Sequence, residues 1–254
     1  MKVSVITVCL NSAETIESTI RSVLGQTYEH VEYIVVDGGS SDGTLEILRT
    51  YQGRIAKCIS ESDGGIYNAM NKGICLATGQ VISFLNADDA YAYDKVLSEV
   101  VALLSTRNLD AVYGDLVYVD RRDTKRIVRY WQAGEYRQKA FFHGWAPPHP
   151  TFFCRKCLFE RCGSFNTKYR IAADFELMLR FIEKYGVSLG YVPKTLVRMR
   201  TAGRANTIRG IIRGNREIVD AFRTNGLKIP LQFFLRKPLS RIMQFLEKPV
   251  IQSP

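Results

Sequence analysis

Four short apolar runs, each followed by a stretch with apolar residues at helical spacing, do most to limit how this chain can fold. VSVITVC (3–9) is the first run, YIVV (33–36) the second, residues 55–59 the third and VISFL (81–85) the fourth. Each is rich in β-formers and bounded by turn residues, as buried strands are. Between them Ile16, Ile20, Val23 and Leu24 mark one helix, Leu45, Ile47 and Leu48 another, and residues 66–77 a third. Asn11 and Glu14 suit a capping box before the first helix, and Ser40, Ser41 and Asp42 suit a cap before the second. Strands alternating with helices of this length imply a doubly wound, mostly parallel α/β sheet, Rossmann-like in its winding. Ligands of such sheets bind at the carboxyl ends of the strands. Asp37, Asp63, Asp88 and Asp89 all follow strand ends or lie a few residues beyond them, so acidic or Gly-rich tips collect along one edge.

The fourth strand runs directly into Asn86, Ala87, Asp88 and Asp89. Adjacent carboxylates at the tip of a buried strand repel and cost stability without a cation between them. A hard divalent ion, Mg²⁺ or Mn²⁺, is one remedy, since such ions take oxygen ligands. A solvated loop whose Asp residues cap the next helix is the other. Two common phosphate-binding patterns are absent. The turn after the first strand reads CLNSAE, not G-x-G-x-x-G, DGGSSDG follows the second strand with the wrong spacing, and there is no G-x-x-x-x-G-K-[ST].

The alternation then loosens. A helix is expected over residues 94–105 and a strand from Ala111, followed by an irregular aromatic and proline-rich stretch, GEYRQKAFFHGWAPPHP (134–150). Irregular stretches of that length inside a domain are usually functional, and His143, Trp145 and His149 suit a sugar pocket as well as they suit loop packing. In IAADFELMLRF (171–181), Phe175, Leu179 and Ile182 recur at helical spacing and Asp174 stands at the helix start. A carboxylate there is stabilised by free backbone N–H groups, as a cap or as a general base for a hydroxyl.

Charge is concentrated at the end of the chain. Residues 195–254 hold 12 Lys and Arg against 3 Asp and Glu, nine of the ten net positive charges. RGIIRGNREIVDAF and LKIPLQFFLRKPLSRIMQFL mix cations with apolar residues at roughly helical spacing. Such helices commonly lie on anionic membrane surfaces; packing on the body or on a second copy of the chain is the alternative, and no nucleic-acid motif supports a third. No run approaches the roughly 20 apolar residues of a spanning helix, and Met1-Lys2 leads into a stretch too short for a signal peptide, so a cytoplasmic location is expected. The six cysteines then stay reduced, with Cys9, Cys58 and Cys75 as small core side chains.

Taken together, VSVITVCLNSAETIESTIRSVLGQTY, YIVVDGGSSDGT, SESDGGIYNAMNKGICLATGQVISFLNADD and IAADFELMLR resemble the inverting family 2 glycosyltransferases of the GT-A fold. They are most similar to the bacterial subgroup that builds capsule, colanic acid and O-antigen. The likeness runs from residue 3 to about residue 191. It implies a glycosyltransferase domain over 1–200, with a nucleotide-sugar half (1–110) and an acceptor half (111–200), followed by a basic helical tail (201–254). It implies that Asp88 and Asp89 hold Mn²⁺ or Mg²⁺ against the diphosphate. Val8, Leu10, Asp37, Gly38, Asp63, Asn71, Asn86 and Asp88 would line the nucleotide-sugar, with UDP favoured. Asp174 takes the position of the catalytic base, and His149 and Trp145 that of the acceptor and diphosphate. The implied partners are a nucleotide-sugar donor, a lipid-linked saccharide acceptor and the inner face of a membrane.

Three positions depart from the family pattern. Asp37 is followed by Gly38 rather than a second acid, Leu10 replaces a base-stacking aromatic, and Asn86 replaces the first acid of D-x-D. Two alternatives remain: a sugar-nucleotide nucleotidylyltransferase, which would need an Arg/Lys-bearing Gly-rich loop after the first strand, and a non-catalytic binding relative, which would have lost the base or the metal carboxylates.

Overall fold

The computed structural model describes residues 1–201, 208–230 and 233. The chain opens with β1 (Val3–Cys9), α1 (Ile16–Leu24), β2 (Val31–Asp37), α2 (Thr44–Thr50), β3 (Lys57–Ser60), α3 (Ile66–Leu76) and β4 (Val81–Phe84). All four strands are parallel and ordered β3-β2-β1-β4. The winding therefore reverses between β1 and β4, and their carboxyl ends part to leave a crevice. β1 alternates its side chains between two helical layers. Val3, Val5 and Cys9 join the core formed with α1, α2 and α4 (Val96–Thr106), whereas Ile6 and Val8 join the one formed with α3. Gly73 lets α3 lie directly on β1, because a Cβ there would collide with Ile6.

The rest of the sheet is mixed. β5 (Asp89–Tyr91), β6 (Ala111–Val119), β7 (Ile127–Trp131), β8 (Phe153–Arg155) and β9 (Leu189–Arg200) extend it in the order β4-β8-β6-β9-β5, with β7 on β6. β8 runs antiparallel between β4 and β6, while β6 and β9 are parallel. The parallel expectation thus holds for the first half of the chain. Residues 134–150 are irregular apart from a 3₁₀ turn at Ala140–His143 and the start of another at His149–Thr151. α5 (Cys157–Cys162) and α6 (Ala173–Leu179), continued by a π-helical turn at Arg180–Lys184, cover the α3 side.

Several expectations are corrected. Asn11 is not an N-cap: α1 starts at Ile16, and Asn11 takes a left-handed φ of 51° with its Oδ1 accepting the Ser41 N–H at 2.9 Å. Asp42 does hold the first turn of α2, accepting the Thr44 N–H at 3.0 Å. All six cysteines are free thiols, but Cys58 and Cys75 are exposed and only Cys9 of that trio is buried. The basic stretch is not wholly an appendage. Its first helix, α7 (Ile208–Thr224), contributes Ile218, Ala221 and Phe222 to the main core. Most of LKIPLQFFLRKPLSRIMQFL lies outside the described residues. Among the described residues, no helix is long and apolar enough to cross a membrane.

Glu32 ties the amino ends of β1, β2 and β4 together. It accepts the Ser4 hydroxyl at 2.6 Å, the Thr78 N–H at 2.7 Å and the Thr78 hydroxyl at 2.8 Å, with Lys2 at 3.2 Å. Burial pushes its carboxyl upward, and the hydrogen bonds from Ser4 and Thr78 more than reverse that, leaving it at about 2. A depressed carboxyl stabilises the fold above its unfolded value of about 4.3 and loses that contribution as the pH falls toward 2. Glu32→Gln should cost about 2 kcal/mol near neutral pH, the scale of hydrogen bonds to a charged acceptor, and flatten the acid limb between about pH 4 and 2. Urea unfolding of both proteins across that range checks it; parallel acid limbs would refute it.

Candidate active site

The crevice between the ends of β1 and β4 is built from four loops. The loop after β1 is laced to the loop after β2: the Asn11 N–H donates to Ser40 Oγ at 2.7 Å and the Ser12 N–H to Thr44 Oγ1 at 2.8 Å. Asp37 organises this lacing. It is wholly buried and accepts the Gly39 and Ser40 N–H groups at 3.1 and 2.9 Å, the Ser60 hydroxyl at 2.6 Å and the Ser40 hydroxyl. Burial raises its carboxyl, and the hydroxyls of Ser40 and Ser60 with the Ser40 N–H outweigh burial and hold it below the usual range. A carboxylate so engaged shapes the turn, and the turn presents Gly38. A Cβ at Gly38 would lie 3.4 Å from Asp63 Oδ2 and 3.5 Å from Leu10 Cδ1. Leu10, Gly38 and Asp63 thus meet in one niche, with Leu10 52% exposed despite its apolar side chain. Asp63 receives Lys72 Nζ at 2.5 Å. Val8 is buried within β1, with its side chain in the core on the α3 side.

At the tip of β4 the charges are poorly compensated. Asp89 begins β5 and is 1% exposed. Its Oδ2 receives Asn86 Nδ2 at 3.4 Å, while Asp89 Oδ1 and Asn86 Oδ1 are buried without a hydrogen-bond partner. Burial pushes the Asp89 carboxyl well up and the neighbouring Asp88 carboxylate adds to it; burial also raises Asp88. Arg200 works against both shifts, and Arg121 against that of Asp88. β5 pairs Asp89 with Met199, so Arg200 is the next residue along β9, near enough to act on both carboxylates. Arg200 Nε and Nη1 are buried and unpartnered as well. Acceptors without donors and donors without acceptors therefore stand side by side, a pattern that fits a cation and an anion together. Arg121, bridged to Glu14 at 3.0 Å, lines with Glu14 and Arg122 an open cavity of about 410 Å³.

The donor set suits a hard ion. Among the described residues no group of three His, Cys, Asp or Glu side chains surrounds a metal position. Two carboxylates and an amide oxygen are, however, what a Mg²⁺-type site uses when substrate phosphates complete the shell.

The α3–α6 side adds a third group of residues. Asp174 lies in the first turn of α6, and its Oδ1 accepts the Tyr67 hydroxyl at 3.3 Å and the Phe175 N–H at 2.8 Å. His149 stacks on Phe84 with ring centres 5.5 Å apart, close enough to feel Asp174. Burial lowers its imidazole, and Asp174 only partly opposes this, so His149 is neutral near pH 7.

The remaining candidates have partners of their own. The Asn71 amide is bonded at both ends to the backbone of Phe165, at 2.9 and 3.0 Å, and works as a clasp between α3 and the lead-in to α6. Trp145 is half-buried beside Tyr113, Tyr136 and Phe141, with its N–H on Ala133 O at 2.6 Å. His143 is exposed on another groove, with Lys139, Phe142 and Lys228. Conversely, Tyr67, Arg121 and Arg200 were not singled out from sequence. Arg200 was counted only as part of the basic end, although its place at the end of a β-branched run, TLVRMR, was visible.

Asp89→Asn tests the charge imbalance. A raised carboxyl pKa favours the fold at low pH and opposes it as the pH rises through that value. The Asn variant should therefore raise the Tm of the metal-free protein at pH 7.5 by several degrees and narrow the gap at pH 5. It should also lose any upward Tm shift that the parent shows with Mn²⁺ plus UDP. Thermal unfolding at both pH values checks this, and a shift with Mn²⁺ that is equal in variant and parent would rule Asp89 out as a metal ligand.

Comparison with known proteins places these features in a family. Residues 4–162 match the model of "Glycosyl transferase family 2". The chain is 29% identical over 210 residues to a "PGL/p-HBAD biosynthesis glycosyltransferase" of Mycobacterium bovis, covering 81% of this chain and 79% of that one. It is 33% identical over 186 residues to an uncharacterized glycosyltransferase of Mycobacterium tuberculosis, covering 70% and 68%. Among solved structures, S. aureus TarS 1–349 in complex with UDP-GlcNAc superposes with a TM-score of 0.68 at 17% identity, over 97% of this chain and 72% of that one. The chain spans 43% of the longer TarS structure. Mannosyltransferase PcManGT from Pyrobaculum calidifontis, in complex with GDP-Man and Mn²⁺, superposes with a TM-score of 0.65 at 23% identity, over 96% and 69%. These likenesses establish the GT-A fold. The chain belongs to glycosyl transferase family 2.

Proposed function

We propose that this glycosyltransferase moves a sugar, with inversion, from a UDP-linked donor to a hydroxyl of a lipid-linked saccharide at an anionic membrane surface. The observation that supports the reading is that His149 stacks on Phe84, the last residue of the strand that leads into the Asn86–Asp89 tip, and also feels the charge of Asp174 at the start of α6. The uracil niche is Leu10, Gly38 and Asp63, with the Asp37-organised turn behind it. Arg200, with two unpartnered donors, is suited to the leaving diphosphate. A divalent ion held by Asp88 and Asp89, with the Asn86 amide oxygen beside it, would supply the remaining countercharge.

In the transfer step the acceptor hydroxyl gives its proton to Asp174 Oδ2 as its oxygen bonds to the anomeric carbon. The bond from that carbon to the diphosphate oxygen breaks, and its electron pair leaves with the diphosphate. Attack from the face opposite the leaving group inverts the centre. The Tyr67 hydroxyl on Oδ1 orients the carboxylate so that Oδ2 meets the acceptor.

A panel of UDP-, GDP- and dTDP-sugars, read by protection against thermal unfolding, tests the donor; UDP-sugars should protect most with Mn²⁺ present. Asp174→Asn should keep that protection and lose at least about 100-fold in turnover. Wild-type turnover in the variant would remove Asp174 as the base.

The membrane part rests on α7. Arg209, Ile211, Ile212, Arg213 and Arg216 form its exposed side, with Ile211 and Ile212 42% and 50% exposed. Isoleucines flanked by arginines suit the boundary of an anionic bilayer. The double variant Ile211→Ser/Ile212→Ser should weaken co-sedimentation with vesicles containing phosphatidylglycerol while leaving Tm unchanged. Equal sedimentation of variant and parent would refute the contact.

A further inference from the structure

α6 starts without a side-chain cap of its own. Ala172 occupies the cap position and has no group to offer the backbone N–H donors there. The backbone that leads into α6 is held instead from a helix more than forty residues later. Glu217, in the middle of α7, accepts the Arg170 N–H at 3.0 and 3.1 Å through its two oxygens, the Ile171 N–H at 2.8 Å and the Ala172 N–H at 2.9 Å. Arg213, one turn earlier, bonds Glu217 at 2.9 Å from the outer side. Burial pushes the Glu217 carboxyl up, and the three N–H groups outweigh burial and bring it below the usual range, so it is charged at neutral pH.

Two further contacts press α7 against the same lead-in. Gly214 leaves only enough room for Ile171, whose Cγ2 would lie 3.1 Å from a Cβ there, and Asp220 accepts the Tyr169 hydroxyl at 3.0 Å. On the opposite side Tyr67 donates to Ile171 O at 2.9 Å and Arg170 Nη1 to Gly64 O. Residues 169–172 are thus clamped between α7 and the α3 lead-in, two residues before Asp174. Tyr67 is common to the clamp and to the carboxylate.

We propose that Glu217 is a positioning residue for Asp174: the charged side chain of α7 fixes the backbone that aims the carboxylate, so that the helix presented to the membrane also sets the base. This rests on Asp174 being the base. Glu217 touches neither donor nor acceptor. A shift of the carboxylate by about 1 Å costs on the order of 100-fold in an oriented transfer.

Glu217→Gln keeps the size of the side chain and one acceptor oxygen; Glu217→Asp keeps the charge on a shorter stem and serves if the first variant folds poorly. Amide hydrogen exchange should show faster exchange at 170–172 in either variant, with β1 and β4 unchanged. Turnover of the sugar nucleotide that protects best in the panel should fall about 10- to 100-fold, with its KM within twofold of the parent. In an Asp174→Asn background the same substitution should cost nothing further, because the group it positions is gone. Unchanged exchange at 170–172, a fall through KM rather than kcat, or an equal loss in the Asp174→Asn background would each overturn the proposal. Failure of the base reading is separate: Asp174→Asn alone would then keep its turnover, while the exchange result would still read the Glu217 contact.

Discussion

Parallel pairing of β1 with β2 on one side and β4 on the other is the constraint from which the site follows. Two parallel neighbours force the chain to leave β1 toward one edge and return past it to the other, so the loops after β1 and β4 diverge. That divergence opens the crevice. It also brings the carboxyl ends of four strands to one rim, where Leu10, Gly38, Asp63 and the Asn86–Asp89 tip lie. Close packing of α3 on β1 at Gly73 holds the geometry, and through α3 it holds Tyr67. The surroundings of Asp174 are therefore tied to the same strand that opens the crevice.

Electrostatics divides the acidic residues of the rim into two kinds. Asp37 is surrounded by donors and held low, which makes it part of the scaffold. Asp88 and Asp89 are raised by burial, one buried oxygen of Asp89 lacks a donor, and the nearby Arg200 has buried donors that lack acceptors. A protein gains nothing in stability from such an arrangement, since unsatisfied buried polar groups cost free energy. Such an arrangement suits a ligand that carries both signs, which is the ground for the diphosphate and cation proposed above.

Much of this was legible residue by residue. The apolar runs that became β1, β2 and β4 stood within a few residues of their observed ends, because buried parallel strands demand unbroken β-branched stretches. Asp174 at a helix start and the two acids after β4 were visible for the same local reason. Other residues misled. Asn11 looked like a cap, but Ser41 offers it a partner across the loop, and the capping pattern does not register such a neighbour. Asn71 sits within a family-like motif, yet Phe165, ninety-four residues away in the chain, takes both ends of its amide. His143, Trp145 and His149 are close in sequence, but two 3₁₀ turns send them to different places.

By itself the sequence determined the winding of the first half, the family and the acidic tips, since each depends on local periodicity or on motifs of a few residues. Only the tertiary structure decided which acids are spent and which remain open. It also decided that Arg200 lies near Asp88 and Asp89 and that Glu217 of α7 holds the lead-in to Asp174. The physical reason is that burial and hydrogen-bond satisfaction come from residues far apart in the chain. The Asn86–Asp89 tip shows the division plainly. Its composition announces a charged site, and its unpartnered oxygens become apparent only once β5, β9 and the end of β4 are packed together.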